Sequence, residues 1–320
     1  MLRTASPTRP AKLDDLLPGP LVARLGQLDI ASRKVFVGRM KGERRSKRRG
    51  ESIEFADHRQ YVTGDDLRRI DWNIFGRLDR LFMKLFLEEE DLSLHIVVDC
   101  SESQACGEPE KFLFAQRAAA AIGYIGLANL HRVSITAMAD RPAIRGENSP
   151  VSASSGGIVA ALKHLRGKRR AAEMGAFLCG LRPDGGSRFT EACKRTAMAR
   201  TGKGVMVILS DFLYKEGYEQ GLRYLIGRGY DLVCIQILSP QELEPTLGGD
   251  LRLRDVEDSD RTEVTISAPL LKRYKQNLSS YCEQLRLFCA QREVAHMTVR
   301  SDTAADQLIL DYLRTRGVLR

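Results

Sequence analysis

Short runs of Val, Ile and Leu alternate with stretches of helical periodicity from residue 92 onward. The apolar runs of strand length are Leu92–Val98, Arg132–Ala139, Gly204–Leu209, Asp231–Leu238, Thr262–Ile266 and Ala295–Arg300. The stretches predicted as helices are Lys111–Leu130, Ile158–Leu165, Arg188–Ala199, Glu216–Arg228, Pro269–Gln291 and Thr303–Arg316. Continuous apolar strands separated by helices are typical of a parallel sheet covered on both faces. The pattern therefore predicts an α/β fold with a doubly wound, mostly parallel sheet.

The residues before this alternating region have a different sequence pattern. Residues 1–30 predict a tail that leads into a short amphipathic helix, and residues 31–91 hold a basic run followed by a dense, poorly periodic segment. A turn signal at Thr63–Asp66 and the single tryptophan, Trp72, predict a packed cap of irregular or β structure. We therefore divide the chain into residues 1–30, 31–91 and 92–320, the last ending in a helix-strand-helix extension.

The composition is that of an ordinary globular protein. Of 320 residues, 43% are hydrophobic and 28% are charged, which excludes collagen-like, mucin-like and wholly disordered classes. The longest uncharged apolar stretch, Ala118–Leu130, has about 13 residues, fewer than the roughly 20 of a membrane-spanning helix. The seven cysteines form no CxxC pair, and the N-terminal residues lack a secretory signal pattern. We expect a cytoplasmic protein without a transmembrane segment.

The net charge of +9 is concentrated in one segment. Residues 33–49 contain nine Lys or Arg and one acid, Glu43, which gives this segment a charge of +8. Such a run can bind nucleic acid or an anionic membrane surface. It can equally be a solvated arm that keeps the protein soluble, because Phe36 is the only aromatic residue there that could stack on a base. The sequence leaves both interpretations open.

Polar side chains follow the predicted strands at their carboxyl ends, where doubly wound folds bind ligands. Asp99, Ser101 and Ser103 follow the first strand, Asp211 follows a later one, and Ser187 precedes a predicted helix. Alternation in a near-extended DxSxS loop places positions 99, 101 and 103 on one side. Hard oxygen donors without His or Cys suit Mg²⁺. The alternative is structural, since a strand-end Asp can cap a helix and a loop serine can bond its own backbone.

An enzymatic interpretation of the same loops has little support in the sequence. A phosphoryl-transfer aspartate is followed two positions later by a second Asp as general acid, and Ser101 stands there instead. Cys100 and His95 are five residues apart along a strand, which places them on opposite faces. No pair of histidines has the HExxH spacing. We therefore expect no catalytic residues.

The segment around Trp72 carries a specific resemblance to a known family. Its matching stretches are Lys47–Gly50, Ile53–Phe55, Arg59–Tyr61, Gly64–Trp72 and Phe86–Glu89, followed by DCSES, Leu209–Leu213 and Ile237–Glu242. Together they resemble the bacterial family called domain of unknown function 58, and the GDDxRxIDW stretch is long and specific. The resemblance covers about residues 31–316. Members of that family carry a von Willebrand factor A-like domain, a Rossmann-type fold, after this signature, and the resemblance implies that fold here.

The same resemblance implies a metal-ion-dependent adhesion site. In such a site the DxSxS residues, a threonine of a second loop and an aspartate of a third loop bind Mg²⁺, and a partner's carboxylate completes the shell. The corresponding residues of this chain are Asp99, Ser101, Ser103, Ser187 and Asp211. Ser187 replaces the usual threonine but keeps its hydroxyl, and Thr190 is the alternative ligand from the second loop.

The resemblance also implies a function. Such proteins are commonly encoded beside AAA+ ATPases of the MoxR type, and the pair is thought to assemble or activate protein complexes or to insert metals. We therefore expect a non-enzymatic adaptor, dependent on Mg²⁺ or Mn²⁺, that binds such an ATPase and a client protein offering an acidic side chain. Binding of nucleic acid or an anionic surface through residues 33–49 is the alternative. For the GDDxRxIDW cap we expect a structural role, with Trp72 plugging its core.

Overall fold

The computed structural model describes residues 9–30, 54–87, 92–140, 156–199, 204–246, 248–254 and 261–304. The chain divides into two compact units. One is formed by residues 1–34 together with 92–320, and the other is formed by residues 35–91. The basic run at 33–49 and nearly all of the helix predicted at Thr303–Arg316 lie outside the described residues.

The elements follow one another along the chain in an order that alternates strand and helix in the larger unit. The strands are β1 (Glu54–Gln60), β2 (Phe82–Leu87), β3 (Ser93–Asp99), β4 (Arg132–Met138), β5 (Ile158–Leu165), β6 (Gly204–Ser210), β7 (Asp231–Leu238), β8 (Gly249–Arg254), β9 (Arg261–Ile266) and β10 (Ala295–Arg300). The α-helices are α1 (Leu13–Leu16), α2 (Gly19–Leu25), α3 (Trp72–Leu78), α4 (Lys111–Ala128), α5 (Ala171–Gly180), α6 (Phe189–Met198), α7 (Glu219–Gly227), α8 (Pro240–Leu243) and α9 (Ala268–Ala290).

The larger unit is built on a six-stranded sheet with the order β10-β7-β6-β3-β4-β5. Every neighbouring pair is parallel except β4 and β5. The mixed α/β fold with a central, mostly parallel sheet is therefore confirmed. Strands β6 and β7 are buried along their whole length, as their continuous apolar sequences predict. After β3 the chain proceeds to one edge of the sheet and after β6 to the other, so a crevice is expected where β3 and β6 end.

The stretch Ile158–Leu165 was predicted as a helix, and this prediction was wrong. It forms β5, an antiparallel edge strand that runs from Ile158 opposite Met138 to Leu165 opposite Val133. The open backbone groups of β4 are satisfied by this pairing, and a short apolar run cannot distinguish an edge strand from a helix by itself. Helix α5 was not predicted. The strand predicted at Thr262–Ile266 exists as β9, but it pairs with β8 in a separate hairpin.

Helix α4 connects β3 to β4 and packs closely on the sheet. A Cβ atom added at Gly126 would lie 2.8 Å from side-chain carbons of Leu94 and Val133, so only glycine permits this approach without a shift of those side chains. A helix that crosses over between parallel strands begins at the carboxyl end of the first strand. The first residue of α4, Lys111, is therefore placed at the end of the sheet where β3 stops.

The smaller unit contains the antiparallel pair of strands β1 and β2 and, between them in the chain, helix α3. Its buried apolar side chains within residues 54–87 include Ile70 and Met83, which also pair through an isolated backbone bridge. Trp72 is 62% exposed, so the prediction that it plugs the core was wrong. The buried residue is its neighbour Asp71, which caps α3. The rings of Trp72 and Phe75, both in this short helix, contact each other in a T-shaped arrangement.

Within the described residues, no helix combines the length and the apolar character needed to cross a bilayer. All seven cysteines are free thiols.

Candidate metal centre

Asp99 ends β3 and is almost completely buried, with 1% of its surface exposed. Its Oδ1 accepts a hydrogen bond from the Ser101 amide at 2.9 Å. Its Oδ2 accepts hydrogen bonds from the Ser210 hydroxyl at 2.8 Å and from the Tyr214 hydroxyl at 2.9 Å. Burial raises the pKa of Asp99, and the charge of Asp211 raises it further. A carboxylate that is buried beside a second carboxylate and bonded to neutral donors is a feature of functional sites.

The two serines of the DxSxS loop lie side by side. The hydroxyl oxygens of Ser101 and Ser103 are 2.9 Å apart, and Ser101 is 1% exposed. This separation is close to the ~3 Å between neighbouring ligands of an octahedral ion whose ligands lie at ~2.1 Å. Ser101 is therefore directed at another polar group and not into the apolar interior.

The second predicted loop packs directly on the first. The Asp184 amide donates to the Cys100 carbonyl at 2.9 Å, and the Glu102 amide donates to the Gly185 carbonyl at 2.8 Å. These two bonds flank Ser101 and bring the backbone next to Ser187 beside the DxSxS loop.

Ser187 is half-buried, and Thr190 lies in the first turn of α6 with its amide bonded to Glu216. Among the described residues, neither hydroxyl bonds to the other candidate ligands. Both residues therefore stay alternatives for the second loop.

Asp211 follows β6 and is 2% exposed. Its Oδ1 accepts a hydrogen bond from the Leu213 amide at 3.1 Å, and its Oδ2 accepts one from Lys111 Nζ at 2.7 Å. The next residue, Phe212, has a φ angle of 56°, a left-handed conformation that costs a bulky residue about 1–3 kcal/mol. Its carbonyl accepts a hydrogen bond from Tyr281 at 2.8 Å, which helps to hold this loop in place.

Four further polar residues of the site were missed by the sequence reasoning: Lys111, Ser210, Tyr214 and Glu242. Lys111 had a detectable signal, because it lies on the same helical face as the buried Ala115 and Ala118, where a charge is unexpected. Glu242 belongs to an SxxE capping box that begins at Ser239. Nothing in the local sequence marks Tyr214 as a donor to Asp99.

The donor chemistry of these loops fits Mg²⁺. Two hydroxyl oxygens and two carboxylates are hard oxygen ligands of the kind that Mg²⁺ prefers. Over the described ranges, no group of three or more His, Cys, Asp or Glu side chains is arranged to hold a metal ion. A metal at this position would therefore depend on the hydroxyls of Ser101 and Ser103, with Asp99 and Asp211 supplying negative charge.

Two relatives of this chain carry names that describe no activity. An uncharacterized protein of Mycobacterium tuberculosis, Rv1480, is 27% identical over 257 residues, which cover 78% of this chain and 75% of that protein. An uncharacterized protein of Mycobacterium bovis, Mb1516, matches to the same extent.

Among solved structures, the conserved hypothetical protein BatB of Bacteroides thetaiotaomicron aligns with a TM-score of 0.40 and 12% identity. The alignment covers 71% of this chain and 98% of the BatB chain. An aerotolerance-related membrane protein of Bacteroides fragilis aligns with a TM-score of 0.42, 13% identity and the same coverage.

The family comparison agrees with the signature read from the sequence. Residues 57–281 match the family described as "Protein of unknown function DUF58", and because this match spans most of the chain, the protein belongs to that family.

Proposed function

We propose that this chain is a non-enzymatic protein-interaction module that binds Mg²⁺, or Mn²⁺ in its place, and offers it to an acidic side chain of another protein. The observation that carries the proposal is the pair of hydroxyls of Ser101 and Ser103, 2.9 Å apart, in the loop that begins at Asp99. The carboxylate of Asp99 lies close enough to that of Asp211 for their charges to interact, at the ends of neighbouring parallel strands. The sheet order, which reverses between β3 and β6, supports a fold of the von Willebrand factor A type.

The proposed roles follow from the contacts of each group. Ser101 and Ser103 are direct ligands, and Ser187 or Thr190 supplies a third hydroxyl. Asp99 and Asp211 neutralise the ion. When bound, the metal supplies a Lewis-acid position that attracts a carboxylate. Hydroxyl ligands bring no charge, so the two aspartates only balance the charge of the ion and leave it able to accept a partner's carboxylate as a further ligand.

The buried groups nearest the site are poorly suited to proton transfer. Burial by itself would lower the pKa of Lys111, but the charges of Asp211 and Glu242 outweigh it and raise that pKa. Burial also raises the pKa of the Tyr214 hydroxyl well above its ordinary value. Neither of these two groups can serve as a base near neutral pH.

The test is isothermal titration of the full chain with Mg²⁺ and with Mn²⁺. We expect saturable binding that disappears in Asp99→Ala and in Ser101→Ala. It should persist in Asp250→Ala, which removes a carboxylate of the exposed β8–β9 hairpin. Acetate, added as the probe for a partner's acid, should bind only when the metal is present. Equal metal binding by the chain and by Asp99→Ala would overturn the proposal.

For the partner we propose an AAA+ ATPase of the MoxR type, together with a client protein that presents the acid. This part rests on the family resemblance carried by the GDDxRxIDW signature. Purification of the chain from its native host in the presence of Mg²⁺ should retain the ATPase and the client, and EDTA should release the client. Retention of the same proteins in EDTA would contradict a metal-dependent contact.

A second candidate function rests on the +8 charge of residues 33–49. If this segment binds nucleic acid or an anionic surface, the affinity should fall steeply with salt and should be lost when its arginines are neutralised. Binding of a DNA duplex and of anionic vesicles at two salt concentrations measures this directly. Weak binding that does not change with salt would exclude this second function.

A further inference from the structure

Lys111 is a buried charged residue to which the proposed function assigns no role. Its side chain is 0% exposed, and its Nζ donates hydrogen bonds to Asp211 Oδ2 at 2.7 Å and to Glu242 Oε1 at 2.6 Å. A buried ammonium is tolerated only when its charge is compensated and its donors are bonded. The start of α4, the loop after β6 and the short helix α8 are therefore joined by one cation.

Glu242 is held in place independently of Lys111. Its Oε2 accepts hydrogen bonds from the Ser239 amide at 2.7 Å and from the Ser239 hydroxyl at 3.0 Å, so that Oε1 is left for the lysine. Ser239 also packs against the segment between β3 and α4, since a Cβ atom added at Gly107 would lie 2.4 Å from the Ser239 Cβ. This arrangement fixes the ammonium beside Asp211 and not elsewhere in the interior.

This contact places a positive charge on one of the candidate metal ligands. Asp211 Oδ2 is already bonded to an ammonium, so a divalent cation at Asp211 has to share that carboxylate with Lys111. Two cations at one carboxylate repel each other strongly where water is excluded. Asp99, by contrast, accepts these hydrogen bonds from neutral donors, an amide and two hydroxyls.

We propose that Lys111 is a built-in cation that competes with the divalent metal for Asp211 and so keeps the metal affinity of the free protein low. The proposal rests on the function proposed above. A partner's carboxylate adds negative charge beside the metal and offsets the charge of Lys111. Metal and partner therefore strengthen each other's binding, as linkage between two sites requires.

A double variant separates competition at Asp211 from the overall charge of the site. Lys111→Met with Glu242→Gln removes one positive and one negative charge, so the summed charge of the three carboxylates and the ammonium stays the same while Asp211 loses its ammonium. We expect Mg²⁺ and Mn²⁺ to bind this variant roughly tenfold more tightly or better. Glu242→Gln alone removes one of the two negative charges that balance Lys111, and we expect several-fold weaker metal binding. A merely structural Lys111 predicts no gain in the double variant.

The matched control removes an ion pair of the same charges from the surface. Arg170 and Glu173 pair at the start of α5 with both side chains about half exposed, and Arg170→Met with Glu173→Gln should leave the metal affinity unchanged. Isothermal titration of the full chain with each metal alone measures all the variants. Circular dichroism checks that each variant folds. Should the double variant fail to fold, Glu242→Gln decides, because an unchanged metal affinity in that variant overturns the proposal.

The outcomes distinguish this proposal from the proposed function. Metal binding that Asp99→Ala abolishes but the double variant does not strengthen would overturn the role of Lys111 and leave the proposed function standing. Binding by the double variant with none by the unchanged chain would support the role of Lys111 and overturn the proposed function of the free protein. Absence of binding in both would overturn both.

Discussion

Two buried carboxylates, one in each unit of the chain, have opposite electrostatics. In the cap, the hydrogen bond with His58 lowers the pKa of Asp71 to about 2, and amides at the start of α3 and Lys84 act in the same direction. At the end of β3, burial raises the pKa of Asp99, and the charge of Asp211 raises it further. The partners of Asp71 stabilise its charge, whereas the surroundings of Asp99 penalise it. The comparison favours a structural role for Asp71 and agrees with the metal-binding role proposed for Asp99.

The largest effect on stability is expected from removing the charge balance at the sheet end, the place where Lys111 pairs with Asp211 and Glu242. Lys111→Met leaves Asp211 and Glu242 buried together without their cation. We expect the free energy of unfolding to fall by about 3–5 kcal/mol, because the remaining charges are uncompensated. Urea unfolding followed by circular dichroism measures the change.

The control for this prediction is Arg170→Met, which breaks an exposed ion pair with Glu173 and should leave the free energy of unfolding nearly unchanged. A similar loss in both variants would contradict the view that the sheet end is special.

A smaller loss of stability is expected when one hydrogen-bond donor to Asp99 is removed. Tyr214→Phe removes the hydroxyl that lies 2.9 Å from Asp99 Oδ2 and leaves that buried oxygen with one donor fewer. We expect a loss of about 1–3 kcal/mol in the free energy of unfolding. Tyr224→Phe, at an exposed position of α7, should change it by less than about 0.5 kcal/mol. Equal values for the two variants in urea unfolding would argue against a stabilising role of the Tyr214 hydroxyl.

Protonation at low pH should have opposite effects on the stability contributed by Asp71 and by Asp99. The pKa of Asp71 lies at about 2 in the folded cap and at its ordinary value of 3.8 in the unfolded chain. Its stabilisation is therefore complete above about pH 4 and is lost as the pH falls toward about 2. Since the pKa of Asp99 is raised, protonation of this carboxylate relieves a cost. Loss of the charge of Asp71 should therefore loosen the cap as the pH falls below about 4.

Fluorescence of Trp72, the only tryptophan, reports on the cap without interference from the larger unit. In Asp71→Asn the change in Trp72 fluorescence on acidification, the acid transition, should become smaller or vanish. An unchanged transition in that variant would show that Asp71 does not control it.

The smallest effect is expected at Trp72 itself. Because the ring is 62% exposed, Trp72→Ala should change the free energy of unfolding by about 0.5 kcal/mol or less. Met83→Ala, in the buried interior of the same unit, should cost about 2–5 kcal/mol. Circular dichroism in urea measures both, and a large loss at Trp72 would mean that its ring is covered in solution.

Most of the central sheet could be predicted, because each buried strand carries its own continuous apolar run. β3, β6 and β7 lie close to their predicted bounds. Ile158–Leu165 could not be assigned correctly, since the neighbour that makes it a strand is β4, and that neighbour is not visible in the local pattern. Trp72 was misplaced for a related reason: a large apolar residue favours burial on average, but the orientation of a short helix decides whether it is buried.

The sequence by itself determined the chemistry of each loop, because a carboxylate or a hydroxyl at the end of an apolar strand can be read within a few residues. It also determined that these loops share one edge of a parallel sheet. Only the tertiary structure decided which charges meet. Lys111 reaches Asp211 across 100 residues of chain and Glu242 across 131, and Tyr214 reaches Asp99 across 115. Ion pairs and hydrogen bonds act over a few ångströms in space, and the strand order, not the spacing along the chain, brings these atoms within that range.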